Sequence, residues 1–71
     1  MEAQTLQISL AAARVNAELT QDAVAKELHV SKTTVVNWEK GKVKPTFIVL
    51  TTLSNLYGIP IDNIFLPAES T

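Results

Sequence analysis

The chain has 71 residues, 46% of them hydrophobic, with no cysteine and a net charge of −1 from six basic and seven acidic side chains. One small core built by side-chain packing alone fits that length, and neither a disulfide scaffold nor a thiolate metal centre is available to it. Apolar runs end after four residues, as at 47–50, and the start of the chain lacks the basic and apolar regions of a signal peptide; a cytoplasmic protein with no membrane contact is expected.

In chain order, a first helix is expected after Thr5 as N-cap, with Leu6, Leu10, Ala13 and Ala17 recurring at helical spacing on its inner side. Thr20 caps a second helix, in which Asp22 suits the first turn and Val24, Ala25 and Leu28 face inward. His29 then falls where the chain must leave that helix, a place that favours left-handed backbone. Ser31 caps a third helix, anchored by Val35 and Trp38 and ended by Gly41. Pro45 and Thr46 open a fourth, with Phe47, Leu50, Leu53, Leu56 and Tyr57 as a mostly buried stripe before Gly58.

After Pro60, residues 61–65 have room for one or two helical turns that bring Ile61, Ile64 and Phe65 onto the bundle; Pro67 ends them, and 68–71 are expected to be loose. Strands are not expected. The fold predicted is all-α, a compact bundle of four to five short helices with a central helix-turn-helix, in a single domain ordered from about residue 5 to 67.

The acidic balance argues weakly against nucleic acid, but its distribution does not. Residues 26–44 hold Lys26, Lys32, Lys40, Lys42 and Lys44 against Glu27 and Glu39, so a basic face on an acidic body is available.

Over most of residues 6–66 this pattern resembles the lambda-repressor-like, Cro-type or Xre family of helix-turn-helix proteins. The resemblance is carried by Arg14, by Leu19-Thr20-Gln21, by Val24-Ala25, Leu28 and Val30-Ser31, and by Trp38-Glu39-Lys40-Gly41 followed by Pro45. It implies an ion pair between Arg14 and Glu39 that ties the end of the first helix to the end of the third. It also implies phosphate contacts from Gln21 and from the turn after the third helix, and base reading by the first half of that helix. His29 stands where the family usually has Gly, and Ile48 and Val49 are apolar where polar residues are common.

The residue types suit such a division. Lys32, Thr33, Val36 and Asn37 project away from Val35 and Trp38, and they are the candidate base contacts. Asn37 can pair with adenine, Lys32 can donate to guanine or equally to a phosphate, and Thr33 or Val36 can press a methyl against thymine. Ser31, Thr34, Lys40 and Lys42 join Gln21 as candidate phosphate contacts. One helix-turn-helix buries little DNA, so a homodimer on a two-fold operator is expected, meeting through Ile61, Phe65 and Leu66.

The function expected is sequence-specific transcriptional regulation, most simply repression; without a second domain, control would come from concentration, competition or a partner. A different reading makes the chain a protein-masking module such as an antitoxin or anti-regulator, for which Ile48 and Val49 are the pointer, unless they enlarge the core. No enzyme is expected: the single His lies in a turn and no carboxylate pair or Gly-rich phosphate loop is present. No cofactor, metal or small-molecule substrate is expected either.

Overall fold

The structure is a computed structural model, and residues 7–66 of it are described. Their order is β1 (Ile8–Ser9), α1 (Leu10–Asn16), α2 (Gln21–Leu28), α3 (Lys32–Lys40), α4 (Phe47–Tyr57), a 3-10 turn (Ile61–Asn63) and β2 (Ile64–Phe65). Each described α-helix opens in the same way, on a hydroxyl that accepts an N–H three residues on. Ser9, Thr20, Ser31 and Thr46 take the N–H groups of Ala12, Ala23, Thr34 and Val49 at 3.0 to 3.2 Å.

Their ends are alike too. A residue in left-handed backbone lets the next N–H reach back five residues to an otherwise orphaned carbonyl. At α2 this residue is His29 (φ 59°), and Val30 bonds Ala25; at α3 it is Gly41 (φ 81°), and Lys42 bonds Asn37. At α4, Gly58 turns the chain and Ile59 bonds Ser54. At α1 the residue is Glu18 (φ 63°), with Leu19 bonded to Arg14; a glutamate carries no local sign of that conformation.

Buried side chains from every α-helix meet in one core: Leu10 and Ala13, Val24 and Ala25, Val35 and Trp38, Leu53 and Tyr57, closed at the chain's end by Ile64. Among helix pairs, α2 and α3 share the most extensive contact. That contact fixes the turn between them, so the direction of α3 follows from α2.

Four expectations are corrected. A short parallel ladder exists, with Ile8 opposite Ile64 and Ser9 opposite Phe65. It joins the two ends of the chain, and residues so distant along the sequence leave no local pattern of pairing. Ser9 is the last ladder residue and also the cap of α1, so this helix starts at Leu10 and not after Thr5; Thr5 and Leu6 lie outside the described residues, as do Pro67 and 68–71.

Residues 61–65 form a single 3-10 turn and then extend into β2, which buries Ile64 and leaves Phe65 half exposed. Phe47 is not core: it is the first residue of α4 and 73% exposed, so the buried stripe of that helix begins a turn later. No helix among the described residues is long and apolar enough to cross a membrane.

Candidate nucleic-acid interface

Helix α3 is held from beneath by Val35 and Trp38, both buried. Its C-terminal end is held by charge. Glu39 accepts from Arg14 Nε at 2.7 Å and Nη2 at 3.3 Å, and from Gln21 Nε2 at 2.9 Å, while Arg14 Nη1 donates to the Leu19 carbonyl at 2.9 Å. One carboxylate thereby joins α1, the α1–α2 loop, the start of α2 and the end of α3.

The side chains of this pair are only 14% and 8% exposed, which strengthens each bond and makes an unpartnered charge there costly. The hydrogen bond to Glu39 raises the Arg14 guanidinium further above its ordinary value, against the opposing effect of burial. Tyr57 of α4 lies close by, and burial, with the Glu39 charge adding, pushes its phenol up to about 12.

Above this anchor, Lys32, Thr33 and Lys40 are exposed, and Val36 and Asn37 are half buried. The side chains of Lys32, Thr33 and Asn37 make no hydrogen bond among the described residues, so their polar groups are open to a ligand. At about 100° per residue, Thr33 and Lys40 point furthest from the Val35–Trp38 side, Val36 and Asn37 flank them, and Lys32 lies on the shoulder shared with Glu39.

The remaining sequence-derived candidates separate. Ser31 and Thr34 bond one another through their hydroxyls at 2.9 Å, so each serves the cap before any phosphate. Lys42 is exposed in the loop after α3, beside half-exposed Val43 and buried Pro45. Gln21 is tied to Glu39, a contact that neither residue's type announces; its only advance sign is that both belong to the Arg14, Leu19-Thr20-Gln21 and Trp38-Glu39 set. Of the dimer candidates, Ile61 and Leu66 are half buried, Leu66 packing on the core, while Phe65 is 49% exposed. Val49 also packs on the core, whereas Ile48 is 77% exposed.

A helix with an inner apolar edge, a hydrogen-bonded end and an open polar face is suited to the major groove of DNA, whose edges present donors, acceptors and thymine methyls. The helix-turn-helix family model HTH_3 matches residues 10–64. The chain is 34% identical over 56 residues to the HTH-type transcriptional activator BcrR of Enterococcus faecalis, covering 79% of this chain and 28% of that protein. It is 38% identical over 48 residues to the uncharacterized HTH-type transcriptional regulator MJ0272 of Methanocaldococcus jannaschii, covering 68% and 73% respectively.

The cryptic phage CTXphi transcriptional repressor RstR of Vibrio cholerae is 33% identical over 57 residues, covering 80% of this chain and 51% of its own length. No solved structure gives a significant match. The chain spans about a quarter of the first of these relatives and half of the third, and it belongs to the helix-turn-helix family, of the lambda-repressor-like, Xre type.

Proposed function

We propose that the chain is a sequence-specific transcriptional repressor that lays α3 in the major groove and binds a two-fold operator as a homodimer. The supporting observation is the open face of α3, where Thr33, Val36 and Asn37 stand over an anchor made by Val35, Trp38 and the Arg14–Glu39–Gln21 cluster. Asn37 pairs with an adenine edge, Thr33 and Val36 meet thymine methyls, and Lys32 meets a guanine or a phosphate. Gln21, Ser31, Thr34, Lys40 and Lys42 hold phosphates and set the register, and Ile61, Phe65 and Leu66 meet the second copy.

Such a protein acts in the cytoplasm on double-stranded DNA, by occlusion of the promoter, and needs neither catalysis nor a cofactor. One relative is named an activator and another a repressor, so the names alone do not choose between the two outcomes. Repression is favoured here because it asks for nothing beyond occupancy of the site.

The test is retardation of duplex DNA selected from a random pool. Binding at nanomolar to micromolar protein, falling steeply as salt rises, is expected because lysines displace counterions from phosphates. Salt-independent binding, or none, overturns the reading.

A second reading, a module that masks a partner protein with DNA secondary, is favoured by Phe47 and Ile48, two adjacent large apolar side chains 73% and 77% exposed. Replacing both by Ser separates the two. On the first reading binding to selected half-site DNA is unchanged, and on the second the partner is lost while DNA binding stays weak.

A further inference from the structure

We infer, on the homodimer reading above, that the second copy seats on the outer face of α4, with the two α4 helices antiparallel and Phe47 and Ile48 at the centre of the contact. At about 100° per residue, Phe47, Ile48, Thr51, Thr52 and Asn55 lie on the side of α4 opposite buried Leu53 and Tyr57. None of the five is charged, although a solvated helix face ordinarily carries charge. Phe47 and Ile48 are the most exposed large apolar side chains among the described residues. The Thr51 and Thr52 hydroxyls donate to the Phe47 and Ile48 carbonyls at 2.9 and 3.1 Å, so even these polar side chains turn their donors back into their own helix.

The area a dimer needs points to the same face. A specific dimer covers roughly 800 Å² on each partner, about a sixth of the 4929 Å² of accessible surface on this chain. Ile61, Phe65 and Leu66 fall well short of that, since Ile61 and Leu66 are already half buried in their own chain. The outer face of α4 supplies further apolar surface, and the 3-10 turn that carries Ile61 packs against the same helix.

Charge identifies the occupant. From Pro45 to Leu66 the only charged side chain is Asp62, and the nearest before that stretch is Lys44. Lys44 precedes the Thr46 cap of α4, and Asp62 follows the helix's C-terminal end in the 3-10 turn. Both are exposed, and they form no ion pair among the described residues. A neutral face with a cation at one end and an anion at the other is complementary to its own copy turned end for end. A two-fold axis across α4 sets Lys44 of each copy against Asp62 of the other and opposes the helix dipoles. Parallel helices would put lysine beside lysine, and a partner of uniform charge would meet repulsion at one end.

The experiment is sedimentation without DNA of wild type, the double variant Phe47→Ser with Ile48→Ser, the single reversals Lys44→Glu and Asp62→Lys, and both reversals together, each first shown to keep its helical circular dichroism. The serine variant is expected to raise the dimer dissociation constant about 30-fold or more, the factor of an interface hot spot. Each single reversal is expected to raise it about three- to tenfold, because symmetry places the pair twice in the contact, and the two reversals together to return it to within about twofold of wild type.

The inference is overturned if the serine variant dimerises as wild type does, which leaves the contact to Ile61, Phe65 and Leu66. It is equally overturned if the single reversals lose nothing, or if the combined reversal fails to restore what they lose. A wild type that stays monomeric at every concentration instead removes the homodimer reading, and the inference with it, before any variant is compared.

Discussion

The two sides of α3 are built on opposite terms. On the inner side Val35 and Trp38 are closed in the core, and Glu39 receives hydrogen bonds from two residues on two other parts of the chain. On the outer side Thr33 and Asn37 have polar groups with no side-chain partner among the described residues. The difference separates holding from reading: inner changes should lower stability and take DNA binding down with it, and outer changes should alter binding while stability stays.

The strongest test of the inner side is Trp38→Ala. Removing a buried indole is expected to cost about 3–5 kcal/mol, comparable with the whole stability of a domain this size, so denaturant unfolding should show a chain largely unfolded at 25 °C. A variant that folds normally breaks the comparison at once. Next comes Glu39→Gln, which keeps an acceptor for Gln21 but leaves the Arg14 guanidinium without its counter-charge. A loss of about 2 kcal/mol is expected by urea titration, with DNA binding recovered wherever the variant is kept folded.

Tyr57 sharpens the same region through pH. Its folded-state phenol is pushed up to about 12 by burial, above the ordinary value of 10.0. The unfolded chain therefore releases that proton first, and stability is expected to fall as pH rises from about 10 to about 12. Tyr57→Phe should have a shallower fall over that window when thermal unfolding is followed against pH. A parallel fall in both proteins means the phenol is not shielded.

A smaller effect is expected at the turn between α2 and α3. His29 is exposed and held at φ 59°, a conformation that costs an L side chain more than glycine. His29→Gly should stabilise by about 0.5–1 kcal/mol in thermal melts without changing DNA preference.

Much of the α2–α3 unit is legible in the sequence because its determinants are local. Thr20 and Ser31 cap the helices that their positions predict, His29 and Gly41 turn the chain, and Val35 and Trp38 are buried as their spacing implies. The ends of the molecule are less legible. Ile8 and Ser9 become strand only because Ile64 and Phe65 lie beside them, and Glu18 takes left-handed backbone although its side chain gives no hint of it.

Phe47 illustrates a limit of periodicity. It stands in register with Leu50, Leu53 and Tyr57, but a stripe residue in the first turn is buried only where a neighbour extends past the helix end. In the candidate site, family resemblance pairs Arg14 with Glu39, and they bond. It does not supply Gln21 as a third member, since an amide at the start of a helix serves a phosphate or a carboxylate equally well.

The most direct measurement of the separation between holding and reading is the affinity of Asn37→Ala for a selected duplex and for random duplex at one salt concentration. With thermal stability unchanged, a loss of about 1–3 kcal/mol per contact on the selected duplex and almost none on random DNA is the expected result. Equal losses on both duplexes contradict it.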